Sequence, residues 1–310
     1  MKTVRWIAVA LMLALIAVLA PSGALVGEAE IVKIPLNAKT GAAPLAAGYV
    51  SDTEYEDPSI HVTIGSGRMF NTNYMFARVK LADASQLRTA MEGNFRSSGE
   101  ASVASLAKRA KAVLAINGDF FNEGGERLGY VVRQGTEYRK NLKPYKNTGH
   151  YFDVLLIDDQ GDFTILRDCD EKKLSAFQGT VVNSFTFGPA LVVDGEVQTE
   201  FVDMNNGVNV AARRMCIAQT GPLEYLCVVS EGPNDADKKG LTVPQFAELV
   251  GSFGDVKNAY NLDGGTSATL VFQIMNKKSG KLEYKKLNAP SNPKTRSVRD
   301  ILYFASAYEP

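Results

Sequence analysis

Short apolar segments of period two, bounded by glycine, proline, asparagine or aspartate, recur along this chain and constrain its fold more than any other feature. Residues 60–64 and 73–81 alternate, with Gly65-Ser-Gly67 between them, and read as paired strands. Residues 151–157, 163–166 and 190–193 are further short strands, the last ending in the hairpin signal Asp194-Gly195. Residues 214–219 and 224–230 flank Thr220-Gly-Pro222 and read as a hairpin. Helical spacing is confined to few places. Val103, Leu106, Ala107 and Ala110 define one helix within residues 100–111, running into an apolar strand at 113–116. Thr242-Val-Pro-Gln245 is a capping box with proline in the first turn, and Phe246, Leu249, Val250 and Phe253 follow at helical spacing before Gly254. Residues 257–262, 267–274 and 298–304 complete the strands, with a basic loop or long hairpin over 276–299. Strands outnumber helices without strict alternation, which predicts an α+β fold: a single domain with a large mixed, mostly antiparallel sheet and a few packed helices.

The ends of the chain divide it further. Lys2 and Arg5 precede an apolar run over residues 6–20, and Pro21-Ser-Gly-Ala24 supplies small residues suited to cleavage. This is the pattern of a signal peptide over residues 1–27. The run, roughly 15 residues, is short for a bilayer span. No membrane span is therefore expected after cleavage, and the mature protein is expected to be secreted or to face the cell envelope. Trp6 is the sole tryptophan, so the cleaved chain would carry none. Residues 28–58 lack regular pattern and read as an N-terminal extension or linker, leaving 59–310 as the domain.

Composition excludes several chemistries. Lys and Arg together number 34, as do Asp and Glu, so no basic surplus points to nucleic acid. With only His61 and His150, a multi-histidine zinc site is ruled out. The three cysteines, Cys169, Cys216 and Cys227, form no C-x-x-C pair. If the hairpin turns about Gly221-Pro222, Cys216 and Cys227 face each other, and either a disulfide or two buried thiols fits. No cofactor is required by any motif, although Asp119, Asp263 and nearby oxygens leave room for a calcium or magnesium ion.

Two strand-end clusters carry candidate chemistry. Asn261-Leu-Asp-Gly-Gly-Thr-Ser267 places a carboxylate at the mouth of a buried strand, beside two glycines that admit close approach of a ligand and two hydroxyls. Asn117-Gly-Asp-Phe-Phe-Asn122 has the same character. Each reads equally well as a turn whose Asp satisfies local amides. His150 reads as an ordinary hydrogen-bonding residue, and the basic residues from Lys277 to Arg299 as a solvated hairpin or a surface for an anionic polymer.

Five segments in order, Ala115-Ile-Asn-Gly-Asp-Phe-Phe121, Gly188-Pro-Ala-Leu-Val-Val-Asp-Gly195, Arg214-Met-Cys-Ile-Ala-Gln219, Gly240-Leu-Thr-Val-Pro-Gln-Phe-Ala-Glu-Leu249 and Asn261-Leu-Asp-Gly-Gly-Thr-Ser267, resemble the phosphodiester glycosidase family across residues 60–305. The resemblance implies cleavage between the anomeric carbon of a sugar and a phosphate oxygen, on a carbohydrate or glycopolymer phosphodiester of the envelope or exopolysaccharide. It carries over Asn117, Gly118, Arg214, Asn261, Asp263, Gly264, Gly265 and Ser267. Thr266 stands where a third glycine is common, Asp119 where a small residue is, and Ala218 where a glycine is; the stretch Glu231-Gly-Pro-Asn-Asp235 is less typical. Such a reaction builds positive charge on the sugar ring and returns negative charge to a phosphate, so it needs an anion near the ring and a cation near the phosphate. Asp263 is the expected nucleophile or base for water, with Asp119 the runner-up carboxylate for that role. Arg214 is the expected phosphate clamp, or Arg213 if the register shifts by one. Thr266, Glu231 and Arg296 complete the candidate binding set. Two rivals remain: a glycan-binding or exopolysaccharide assembly protein without catalysis, and a metal-dependent phosphodiesterase.

Overall fold

The computed structural model describes residues 30–93, 99–119, 128–204, 207–233, 235, 239–276, 278–289, 292 and 296–310. The expected signal peptide, and Phe120, Phe121, Asn122, Asn234, Lys277 and Lys294, lie outside the described residues.

Two sheets face one another. The larger has nine strands in the order Glu196–Val197, Ala190–Val193, Asn258–Leu262, Met215–Gly221, Glu224–Ser230, Thr72–Leu81, Ile60–Met69, Glu54–Asp57 and Tyr49–Ser51. The smaller has five: Leu282–Lys286, Leu270–Met275, Leu114–Asn117, Asp300–Phe304 and Leu87–Met91. The expected mixture of strand directions resolves to antiparallel throughout the described ladders. Strand periodicity sorts the side chains between faces. Leu114 and Ile116, Leu270 and Phe272, and Leu302 and Phe304 point to the larger sheet and meet Ile217, Cys227, Val229, Tyr260 and Leu262 in the central core. Alternate residues of the smaller sheet, among them Ala115, Val271 and Ile301, pack on helix α1 (Val103–Ala110). Each of these fully buried large side chains contributes about 1.5–3 kcal/mol relative to exposure.

Helix α2 (Glu171–Ala176) sends Leu174 against Val154 and Leu156 of a three-stranded sheet, Phe163–Leu166, Val154–Asp158 and Val181–Phe185. Helix α3 (Val243–Gly251) forms as its sequence dictates. Thr242 accepts the Gln245 amide while Gln245 reaches back to the Thr242 N–H, and Phe246, Leu249 and Val250 cover the outer face of the nine-stranded sheet. The layers thus run helix, sheet, sheet, helix. No helix among the described residues is long and apolar enough to cross a membrane.

Three local expectations are corrected. Gly65 and Gly67 lie within a strand, paired with Phe76 and Tyr74, whose rings occupy the space their side chains would need; the turn falls at Phe70-Asn71, both left-handed. The hairpin of Met215–Gly221 and Glu224–Ser230 turns at Pro222-Leu223 rather than at Gly221-Pro222, and an irregularity between Gln219 and Gly221 shifts the register by one, so Cys227 faces Ile217 and Cys216 faces Val228. A one-residue slip reverses the face. Cys227 therefore lies in the central core, Cys216 lies under α3, and all three cysteines are free and buried. Residues 49–57, expected in an extension, are edge strands of the large sheet. Asp57 accepts hydrogen bonds from Tyr55, Ser59 and Ser306, sealing the segment to the C-terminal region.

Candidate active site

Antiparallel order gathers the candidate residues at one end of the sandwich. In the nine-stranded sheet, Asp263 follows Asn258–Leu262, Arg213 and Arg214 precede Met215–Gly221, and Glu231 follows Glu224–Ser230. In the five-stranded sheet, Asn117, Gly118 and Asp119 end one strand, Asp300 begins the next, and Lys286 ends the edge strand. The two ends are joined directly, since the Asp263 N–H donates to the Gly118 carbonyl at 3.4 Å and the Asn117 amide donates to the Asp263 carbonyl at 2.7 Å. Asn117 also accepts from the Thr269 N–H at 3.1 Å, so one buried side chain grips both flanks of the 263–267 turn.

The two glycines of that turn have separate causes. A Cβ on Gly264 would lie 2.7 Å from the Arg213 carbonyl, so the position needs the close approach. Gly265 has φ +58 and donates its N–H to the same carbonyl at 2.9 Å. This fixes the half-buried Asp263 carboxyl. Burial pushes its pKa up to about 6, while hydrogen bonds from the buried Ser267 and the Gly264 amide and the charge of Arg296 favour the ionised form. Arg296 is held beside the turn by its N–H bond to the carbonyl of the exposed Thr266.

Asp119 is close enough to raise the Asp263 pKa further, but its own carboxylate is engaged elsewhere. It accepts the Thr186 and Phe187 amides and an arm of Arg133 at 3.1 Å. Arg133 also donates to Asp300 from Nε at 2.9 Å and stacks over the Phe185 ring at 4.3 Å. Burial raises Asp300 to about 6, and its Oδ1 has no hydrogen-bond partner among the described residues. Gly118 is obligatory here, because a Cβ would meet that carboxylate at 2.4 Å. Asp119, Arg133 and Asp300 thus form one buried ion-pair network. Sequence reading missed Arg133 and Asp300, which stand far from Asp119 along the chain and carry no local motif.

Arg214 also differs from expectation. It is buried, burial lowers its pKa to about 10, and its guanidinium donates to the carbonyls of Leu241, Gly207 and Val210. Those bonds tie a loop to the strand. Arg213 forms a bidentate pair with Asp235, with Nη1 buried and unpartnered among the described residues. Near it Lys286 is lowered to about 8, by burial first and by the Arg213 charge second, with Glu231 and Asp235 opposing. Glu231 itself receives the Asn73 amide at 3.3 Å. Asn261 is fully buried and donates to the Gly188 carbonyl at 2.7 Å, so it shapes the wall rather than facing solvent. His150 is surface-exposed, 3.7 Å from Asp168.

Among the described residues, no group of three carboxylate, imidazole or thiolate ligands includes Asp119 or Asp263. The group with suitable spacing is Glu54, Glu56 and His61, at the opposite end of the large sheet. What the turn offers chemically is one half-buried carboxylate of raised pKa, a neighbouring hydroxyl and a nearby guanidinium.

The family model for phosphodiester glycosidases matches residues 110–305. The SPbeta prophage-derived uncharacterized protein YomE of Bacillus subtilis (strain 168) is 26% identical over 209 residues, 67% of this chain and 30% of that protein. The chain thus spans less than a third of that relative's length. The catalytic domain of zebrafish N-acetylglucosamine-1-phosphodiester alpha-N-acetylglucosaminidase, solved auto-inhibited by its pro-peptide, is similar with a TM-score of 0.60 at 17% identity, over 83% of this chain and 86% of that one. At that identity the likeness is one of fold.

Proposed function

Because the chain belongs to the phosphodiester glycosidase family, we propose that it hydrolyses the bond between the anomeric carbon of a sugar and the phosphate oxygen of a sugar-1-phosphodiester. The observation carrying this reading is the half-buried Asp263, raised to about 6 and held between Ser267 and Arg296 on a turn fixed at both flanks by Asn117. Ionised above that pH, Asp263 attacks the anomeric carbon or takes a proton from the attacking water. The carbon–oxygen bond breaks with its electron pair going to the phosphate, which leaves as an anion and needs little help from an acid. Arg296 supplies a nearby cation for that developing charge, and Lys286 lies within reach of the Arg213 charge. Asp119, Arg133 and Asp300 position the backbone beneath.

The substrate on this reading is a glycan phosphodiester outside the cytoplasm. Support for the location comes from the apolar run over residues 6–20 behind Lys2 and Arg5. The test is hydrolysis of glycosyl-1-phosphodiesters in oxygen-18 water beside Asp263→Asn. Label in the sugar, with turnover lost in the variant, is expected. Label in the phosphate would favour phosphorus–oxygen cleavage, and absent turnover with intact glycan binding would favour a binding protein; either result defeats the reading.

A further inference from the structure

A cleft of about 430 Å³ opens beside the Asp263 end of the sandwich. Its floor is Phe187, Gly188 and Pro189, and this segment is wired to the candidate site. The Phe187 amide donates to Asp119, and the Gly188 carbonyl accepts from Asn261, two residues before Asp263. The facing wall is wired to the same strand, since the Tyr260 hydroxyl donates to the Asp153 carbonyl at 2.5 Å and Asp153 accepts the Ala190 amide at 3.0 Å. The cleft is therefore built on the elements that place the reactive carboxylate.

Its lining combines ring faces with planar polar groups. Tyr151, Phe152, Phe187 and Phe201 all line it and all remain partly exposed. Arg167 stands among them with its side chain 39% exposed, one edge 3.1 Å from Asp153 and the other on Gln198. Half-exposed rings offer a flat apolar surface to the C–H face of a pyranose, while carboxylates and a guanidinium held in place by packing suit its vicinal hydroxyls. Asp153, Asp168 and Glu200 line the cleft against the single Arg167, so an anionic ring would be repelled.

Strand order gives the direction. Ala190–Val193, entered from Gly188, lies on one side of Asn258–Leu262, whereas Met215–Gly221, entered from Arg213, lies on the other. On the proposed reaction, on which this inference rests, phosphate occupies the cationic side, so the cleft extends the glycosyl side. We propose that this cleft binds an uncharged sugar unit attached to the glycosyl residue being cleaved, making the substrate an oligosaccharyl rather than a monosaccharyl phosphodiester.

The test separates binding from turnover. Neutral tetrasaccharides of β-1,4-linked glucose, β-1,4-linked N-acetylglucosamine and α-1,4-linked glucose, with an α-1,4-linked galacturonic acid tetramer as anionic control, are titrated calorimetrically into wild type, Tyr151→Ala, Phe201→Ala and Asp263→Asn. At least one neutral tetramer is expected to bind wild type and Asp263→Asn alike. Its Kd should weaken tenfold or more in both aromatic variants, each checked for an unchanged thermal midpoint. Phe201 also packs toward α3, so Tyr151→Ala serves if Phe201→Ala is unstable. No binding by any neutral tetramer, binding unchanged by Tyr151→Ala, or preference for the galacturonic acid tetramer would overturn the inference. Tetramer binding that depends on the rings, without hydrolysis of any sugar-1-phosphodiester, would defeat the enzymatic reading and leave the cleft a saccharide site.

Discussion

Replacing Asp300 by asparagine tests the buried group beneath the turn. Asp300 is inaccessible, and its pKa is raised from 3.8 to about 6, burial outweighing the opposing charge of Arg133. At roughly 1.4 kcal/mol per tenfold change in proton affinity, that rise is worth about 3 kcal/mol. The folded state holds this proton more tightly than the unfolded chain, so the associated stability is present below about pH 4 and is lost as pH rises through about 6. Asparagine mimics the protonated acid, keeps an acceptor for the Arg133 Nε, and does not titrate. Asp263 titrates over the same range but is present in both proteins and cancels. The unfolding free energy of wild type minus that of Asp300→Asn should therefore fall by about 2.4 kcal/mol between pH 4 and pH 7. Urea denaturation at pH 4, 5, 6 and 7 measures it. A difference constant with pH, or one growing toward pH 7, would refute the assignment of a proton to this buried carboxyl.

On the proposed role, in which Asp263 acts ionised, the acid limb of the kcat/KM profile should bend near pH 6, with activity falling below it, because this carboxyl is raised to about 6; a bend near pH 4 would exclude it as the titrating group. Arg214→Met should cost about 2–5 kcal/mol of unfolding free energy by leaving three carbonyls without their donor, measured by denaturation, and an effect confined to KM would argue for a phosphate clamp instead. Gly118→Ala should lower the thermal midpoint, since the added methyl meets the buried Asp300 carboxylate at 2.4 Å; an unchanged midpoint would contradict the packing. With three free cysteines, reductant should leave the thermal midpoint unchanged, and a drop of several degrees would reveal a bridge.

Local signals were the ones legible in the sequence. The Thr242–Gln245 capping box and the apolar stripe behind it specify α3 within a few residues, and the observed helix follows them. Register was not legible where an irregular residue intervened. The turn at Pro222-Leu223 and the Gln219/Gly221 shift together separate Cys216 from Cys227, and nothing near those residues announces either. Gly65 and Gly67 looked like a turn because their partners, the Phe76 and Tyr74 rings, become neighbours only when the strands pair. The site divides the same way. Asp263, Gly264, Gly265 and Ser267 are contiguous and could be found together, whereas Asp119, Arg133 and Asp300 meet only through folding. Arg214 was found by position yet turned toward a loop that sequence could not place.

The short ladder of Glu30–Ile31 with Tyr308–Glu309 brings the two ends of the described chain side by side. A unit whose entry and exit strands lie in register can be spliced into another polypeptide through one narrow gate, without displacing either sheet. The same geometry makes the fold suited to circular permutation: a short linker joining those ends would permit a new opening at an exposed tip such as Asp194-Gly195, with the sandwich and its reactive end undisturbed.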